Sequence, residues 1–417
     1  MKSLFLKYKF EILIVLIGFL WIEFLNFILQ LDIQNRISPD AESYFESAYD
    51  LYFLHKGHQY RPVFLALIHG IPFLFGCSNL EVFKACYPIN FLFWIGTGLL
   101  LFKILCNILT LKKSFYISLI SIFFIGSAIC IFNLYSENIY LFFIVLGFYF
   151  LQKYYVNSKF LFLSISLSIF IISMLIKPGA KLFAIFLVLF FVKEILKNYN
   201  NKAIIFLYGS FFLVLIQCGL LKKQYGDFTI SYIDSVTYYN YLGSKAVCLS
   251  QGKKLNQLDN PRMDYIFSIS NTETKKIAFD DLINQISNNK FYLFYAYLSD
   301  VYDNSTAGNT ALDYTININN TGYFKFSKIF FFTISKFQNM FFTIIGFFLS
   351  ISMFFSSYKK EPYFSLISFF VLYTIFLSGI SCSQGDRFHL PILSFVLILI
   401  AKKIFDKTKH SFEPLQK

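Results

Sequence analysis

The chain has 417 residues, 56% of them hydrophobic and 15% charged, with a mean hydropathy of +0.57. An ordinary soluble domain carries about 25% charged residues, so a single soluble enzyme is excluded. The formal charge of +13 does not indicate a nucleic-acid partner, because the basic residues fall mostly between apolar blocks, where they set orientation in a bilayer.

Lys2 to Lys9, followed by an apolar run to about Leu31, is too long for a signal peptide and has no small-residue cleavage site, so it reads as a retained first span. Further apolar blocks follow near 82–106, 114–134, 139–155, 160–176, 181–197, 203–221, 328–356, 363–380 and 389–405. With 10–31 they predict an all-α multi-pass membrane protein of about ten spans. Placing the N-terminus in the cytoplasm puts Lys103, Lys112, Lys113, Lys153, Lys159, Lys193, Lys197, Lys202, Lys359, Lys360, Lys402, Lys403, Lys407 and Lys409 on that side, as positive-inside orientation requires. The chain then divides into a membrane half, 1–221, with an outer loop at 32–81; an outer loop or small cap, 222–327; and C-terminal spans with a short tail, 328–417.

In the first outer loop, Ser38-Pro39-Asp40-Ala41-Glu42 predicts a helix start, and Tyr44, Phe45, Tyr49, Tyr52 and Phe53 give the helix an aromatic side suited to a membrane surface. After Gly57 and Tyr60-Arg61-Pro62, the apolar stretch Val63 to Phe75 is too short to span and predicts a re-entrant or interfacial helix. The segment 222–327 is rich in Asn, Tyr and Lys. It contains one amphipathic helix, on which Phe279, Leu282, Ile283 and Ile286 share a face, and reads as a small ordered cap. Two glycosylation sequons, at Asn304 and Asn319, are assigned no function in so Asn-rich a loop.

Cys86, Cys106, Cys130 and Cys218 lie in apolar blocks, where a thiol behaves as a small hydrophobe, and no disulfide framework is implied. Cys77, Cys248 and Cys382 are expected outside the cytoplasm, where one pair could bridge. His55 and His58 have metal-ligand spacing but no further placed ligands.

Four charged turns gather on the expected outer side: Asp40 and Glu42; Glu137 after Tyr135-Ser136; Lys177 before Pro178; and Asp386-Arg387. Each has a plain structural reading. Asp40 and Glu42 suit a first helical turn, Glu137 begins a helix, Lys177 snorkels and Arg387 pairs with Asp386. Separate structural roles do not account for all four lying beside span ends on one face.

These stretches resemble the GT-C membrane glycosyltransferases, in particular the bacterial protein-mannosyltransferase and aminoarabinose-transferase group (family 39 type). The resemblance rests on Pro39-Asp40-Ala41-Glu42-Ser43-Tyr44, Tyr60-Arg61-Pro62-Val63-Phe64-Leu65-Ala66-Leu67, Tyr135-Ser136-Glu137-Asn138-Ile139-Tyr140, Ile176-Lys177-Pro178 and Asp386-Arg387-Phe388-His389-Leu390-Pro391, in that order relative to the spans. It covers residues 1–200 and, more loosely, 363–405. Many members carry a second acid directly after the first Asp, where Ala41 stands here; Arg is common where Lys177 stands, and Tyr where Phe388 stands.

The resemblance implies a GT-C-like bundle with interfacial helices in the first outer loop. It further implies an inverting transfer, at the outer face of a bacterial plasma membrane, from a polyprenyl-phosphate sugar to a glycan, lipid or protein acceptor. Asp40, with Glu42 as the second acid, would act as catalytic base. Tyr44, Arg61, Glu137, Lys177 and Arg387 would bind substrate. A glycosyl phosphate carries its own leaving group, so the chemistry needs a base and cations rather than a general acid. It requires no cofactor, no residue pattern supports a divalent metal, and no nucleic acid is expected. A polysaccharide polymerase or ligase would instead present an arginine-led large loop, whereas 222–327 contains only Arg262. A lipid or glycan transporter would place charges at mid-span, whereas Glu11, Glu23, Lys84, Lys103 and Lys336 lie mostly near span ends.

Overall fold

In the computed structural model of the chain, residues 7–34, 39–357, 360–382 and 384–405 are described. Lys2, Ser38, Lys359, Lys407 and Lys409 lie outside them. The described residues form helices and connecting turns, with no strand. The membrane bundle contains α1 (Lys9–Leu29), α4 (Asn79–Cys106), α5 (Leu111–Ile122), α6 (Ile125–Ile129), α7 (Glu137–Asn157), α8 (Phe160–Ser173), α9 (Lys181–Phe190), α10 (Val192–Lys197), α11 (Ile204–Tyr225), α18 (Phe324–Ser357), α19 (Pro362–Leu377) and α20 (Leu390–Phe405). Between α1 and α4 lie α2 (Pro39–Phe53) and α3 (Val63–His69); between α11 and α18 lie the cap helices α12 (Ile233–Thr237), α13 (Ser244–Ser250), α14 (Pro261–Ser268), α15 (Asn271–Asn288), α16 (Lys290–Thr306) and α17 (Thr310–Tyr314).

The chain is an integral membrane protein, but the expected ten spans are corrected. Among the described residues, six helices are long and apolar enough to cross a bilayer, seven if the bent pair that begins with α5 counts as one span. Helix α8 has 14 residues, about 21 Å at 1.5 Å each, short of a hydrocarbon core about 30 Å thick. The block read at 181–197 is divided at Phe191 into α9 and α10. Apolar composition runs through these breaks, so hydropathy does not register them.

The bent pair turns by 61° between Leu111–Ile122 and Ile125–Phe132. A break at membrane depth frees backbone groups that lipid cannot satisfy. The Gln338 side chain satisfies two of them: it accepts from Ile125 N at 2.9 Å and donates to the Phe123 carbonyl at 2.9 Å. Asn90 donates to the carbonyls of Ile131 and Asn133 where the segment returns. Gly126, just past the break, lies so close to Asp386 and Leu390 that a Cβ would collide with both.

The cap has its own apolar cluster, built from Val236, Tyr238, Tyr239, Leu242, Ala246, Ile266, Ala278 and Ala296. A bidentate pair from Arg262 to Asp281, at 3.0 and 2.8 Å, ties α14 to α15, and the Tyr238 hydroxyl donates to Asp281 at 3.0 Å. Helix α15 buries Thr274, Ala278 and Gln285; of the apolar face read from the sequence, Leu282 packs partly buried against the cap cluster, while Phe279, Ile283 and Ile286 are exposed. Asn304 of the first sequon is buried and donates to the carbonyls of Ser378 and Ser381. None of the seven cysteines is joined in a disulfide.

Candidate active site

Asp40 is the second residue of α2, behind Pro39, whose fixed φ suits a first helical position. Asp40, Ser43 and Tyr44 follow at helical spacing and share one face. Glu42, two residues on, is turned away; it is exposed and does not line the cavity. Arg61 precedes Pro62, whose extended conformation opens α3. The buried His58 ring fixes this turn, its Nδ1 accepting from Tyr60 N at 3.1 Å and Arg61 N at 3.2 Å. His58 therefore serves as a backbone acceptor, and His55 is exposed; among the described residues no group of three or more His, Cys, Asp or Glu could hold a metal ion.

Glu137 opens α7, Lys177 is extended ahead of Pro178, and Arg387 lies on the short turn Gly385–Phe388. Gly385 adopts φ +60 there and is packed against the Gly308 carbonyl, so both its conformation and its surroundings require glycine.

Five of these side chains form one network. Arg387 donates from Nη1 to Asp40 Oδ2 at 2.8 Å and from Nε to Glu137 Oε1 at 3.0 Å, with its guanidinium 4.1 Å from the Tyr135 ring centroid. Arg61 donates to Asp40 Oδ1 at 3.0 Å and to Ser43 Oγ at 2.7 Å, and lies 4.0 Å from the Tyr44 ring. Lys177 Nζ is 3.4 Å from Glu137 Oε1. Tyr44 and Ser136 share a hydrogen bond of 3.1 Å, and Ser136 Oγ is 3.5 Å from Glu137 Oε2.

The structure thus brings Asp40, Tyr44, Arg61, Glu137, Lys177 and Arg387 around one cavity of about 430 Å³ and leaves Glu42 outside it. Three cations face two carboxylates, so the cluster carries one net positive charge. Burial alone would raise the Asp40 carboxyl, but the charges and hydrogen bonds of Arg387 and Arg61 outweigh it and hold Asp40 well below the usual carboxylate range.

One expected pairing is corrected: the Asp386 side chain does not bond Arg387. It accepts from Asn309 Nδ2 at 2.9 Å, while the Asp386 N–H reaches the Gly308 carbonyl at 3.3 Å. Burial pushes its carboxyl up to about 7, against the lowering effects of Asn309 and Arg387. Asn309 and Asn304 thereby hold the arginine-bearing turn from the far end of the cap, a role that sequence reading missed. Also missed were Thr237 and Tyr241 of the cap, which line the cavity, and Lys181, which lines it and pairs with Asp234 at 2.9 Å.

The cavity's other wall is apolar, with Ile176, Leu182, Leu377 and Phe388 among its residues. Tyr373 and Leu377 also line a second cleft of about 470 Å³, completed by Phe354, Phe369, Leu372 and Phe376. The charged chamber therefore adjoins an apolar surface on α18 and α19. Away from it, Glu11 pairs with Lys103, and Glu23 accepts from the Tyr87 hydroxyl at 2.6 Å.

Comparison with protein-family models, curated proteins and solved structures finds no match to this chain.

Proposed function

We propose that the protein is a membrane glycosyltransferase of the GT-C type, moving a sugar from a polyprenyl-phosphate carrier to a glycan, lipid or protein hydroxyl at the outer face of a bacterial plasma membrane. The observation that carries this reading is the convergence of Arg61, Lys177 and Arg387 with Asp40 on a cavity that adjoins an apolar cleft. A phosphate with an isoprenoid tail needs both surfaces: cations for its head, with forked guanidinium groups suited to its oxygens, and an apolar groove for its chain.

The acceptor oxygen attacks the anomeric carbon from the face opposite the phosphate. The bond from that carbon to the phosphate oxygen breaks, and its electron pair leaves on the phosphate, where Arg61, Arg387 and Lys177 stabilise it. The acceptor proton passes to Asp40.

Held between two arginines, Asp40 is a weak base. An incoming phosphate competes for the same guanidinium groups, and as they turn to it the carboxylate recovers basicity. Proton abstraction is then coupled to donor binding, which limits unproductive chemistry in the empty enzyme.

The test is binding of undecaprenyl phosphate and of undecaprenol to the purified chain in lipid nanodiscs, followed by mass spectrometry of a sugar-loaded carrier. The phosphate should bind at least tenfold more tightly than the alcohol, a difference of about 1.4 kcal/mol, and Arg387→Gln should remove the preference. Equal affinity for the two lipids would reject the reading.

A further inference from the structure

The wall of the cavity formed by the cap is built differently from the rest. Ile233, Asp234, Thr237 and Tyr241 all line it. Their spacing of one, four and eight residues from Ile233 defines a single helical face. The intervening residues Val236, Tyr238 and Tyr239, and Leu242 just after them, are buried in the cap's own cluster, so the segment is anchored on one side and open to the cavity on the other.

A π-helical turn over Tyr238–Gly243 follows α12 directly and carries Tyr241. Such turns displace side chains from regular α positions, and they recur at functional sites. The Arg262–Asp281 pair and the Tyr238 hydroxyl hold the turn rigidly from behind.

The face carries ring, hydroxyl and carboxylate groups but no cation of its own. Among the described residues, no hydrogen bond engages the Thr237 or Tyr241 hydroxyl. Asp234 is half-exposed and pairs with a partly exposed Lys181, a contact weak enough to exchange for ligand hydroxyls. Tyr60 faces the same cavity from the first outer loop. Aromatic rings beside hydrogen-bonding groups suit a pyranose, which has an apolar C–H face and a rim of hydroxyls; the Asp234 carboxylate repels a phosphate, and the polar groups leave nothing for an isoprenoid chain to match.

We infer that the Asp234–Thr237–Tyr241 face of the cap is the sugar-ring subsite, distinct from the phosphate cluster below it. The inference rests on the transferase reading for its context and deepens it: the cap selects the sugar, and the bundle holds the carrier. The ring bound there belongs either to the donor or to an acceptor glycan.

The two sources separate in a thiol-protection experiment on a Thr237→Cys variant of the full chain, with a charged maleimide and peptide mass mapping as the readout. The probes are undecaprenyl phosphate, undecaprenyl-phosphate-linked hexose and a panel of neutral hexose and N-acetylhexosamine oligosaccharides. Bare undecaprenyl phosphate should leave the labelling rate unchanged. Protection by the hexose-bearing lipid assigns the ring to the donor, and protection by an oligosaccharide assigns it to the acceptor. Tyr241→Ala, added to the reporter variant, should weaken the protecting ligand roughly tenfold, whereas Tyr241→Phe, which keeps the ring and the packing, should weaken it less.

Protection by bare undecaprenyl phosphate would overturn the assignment, as would full reactivity in the presence of every sugar-bearing probe. If undecaprenyl phosphate fails to bind the wild-type chain, the transferase reading falls, and the sugar subsite is then decided by the oligosaccharide probes alone.

Discussion

Asp40 and Arg387 are 347 residues apart in the chain and 2.8 Å apart in space. This contact joins α2 to the turn before α20, and Glu137 meets the same guanidinium group at 3.0 Å. Arg387 is thus the common partner of two carboxylates. Arg387→Gln leaves Asp40 to Arg61 and Glu137 to the longer Lys177 contact, and should destabilise the fold by less than the roughly 3–5 kcal/mol that breaking a buried pair outright costs. Adding Glu137→Gln should recover much of that stability without restoring undecaprenyl phosphate binding. Thermal unfolding and lipid binding of the single and double variants check the two effects separately.

Asp40 and Glu42 make a paired prediction. Asp40→Asn keeps the size and the acceptor oxygen facing Arg387 or Arg61 but cannot take a proton at neutral pH. Donor binding should survive, while transfer falls by roughly 10²–10⁴-fold. Glu42 is exposed and outside the cavity, so Glu42→Gln should leave turnover near wild type. Single-turnover measurements on sugar-loaded carrier decide it, and a large loss in Glu42→Gln would move the base to that residue.

The charged turns were legible because each stands beside an apolar block, where a lone ionisable residue is conspicuous. Asp40, Glu137, Lys177 and Arg387 could be grouped by alternating the spans, although no hydropathy profile shows which atoms meet. Asn309 and Asn304 were not legible. A neutral amide has no periodicity, and their targets are 77 and 74 residues away. The break between α5 and α6 was hidden because Phe123, Phe124 and Ile125 continue the apolar run while the compensating amide, Gln338, lies more than 200 residues downstream.

Gln338 offers a test of the broken span. Gln338→Leu keeps the volume but removes both hydrogen bonds to the break, leaving Ile125 N–H and the Phe123 carbonyl without that partner. The cost should be about 1–3 kcal/mol. Because Gly126, next to Ile125, packs against Asp386, the variant should also disturb the Arg387 turn and weaken undecaprenyl phosphate binding, whereas Gln338→Glu, which keeps one acceptor, should do so less. Unfolding and lipid titrations measured together would show whether the break positions the site or only the bundle.

The pH dependence of stability should trace in part to His58. Burial first, and the Arg61 charge second, push its ring down to about 4 from an ordinary value near 6.5. The folded ring must stay neutral, since Nδ1 accepts the backbone N–H groups of Tyr60 and Arg61. In the unfolded chain it takes up a proton at the ordinary value. Between those two values the unfolded state binds more protons, so stability rises with pH. The contribution is fully present above about pH 6.5 and is lost as pH falls toward 4, up to roughly 3 kcal/mol for a gap of this size. Asp386 works in the opposite sense: its raised value means that the folded state holds a proton the unfolded chain has released, so its contribution falls as pH rises from about 4 to 7. The comparison that isolates His58 is wild type against His58→Asn, which keeps an acceptor near the Nδ1 position without titrating. The difference in melting temperature between the two should be roughly constant from pH 8 to 7 and then shift steadily in favour of the variant toward pH 4.5. A parallel pair of melting curves across that range would remove His58 as the cause.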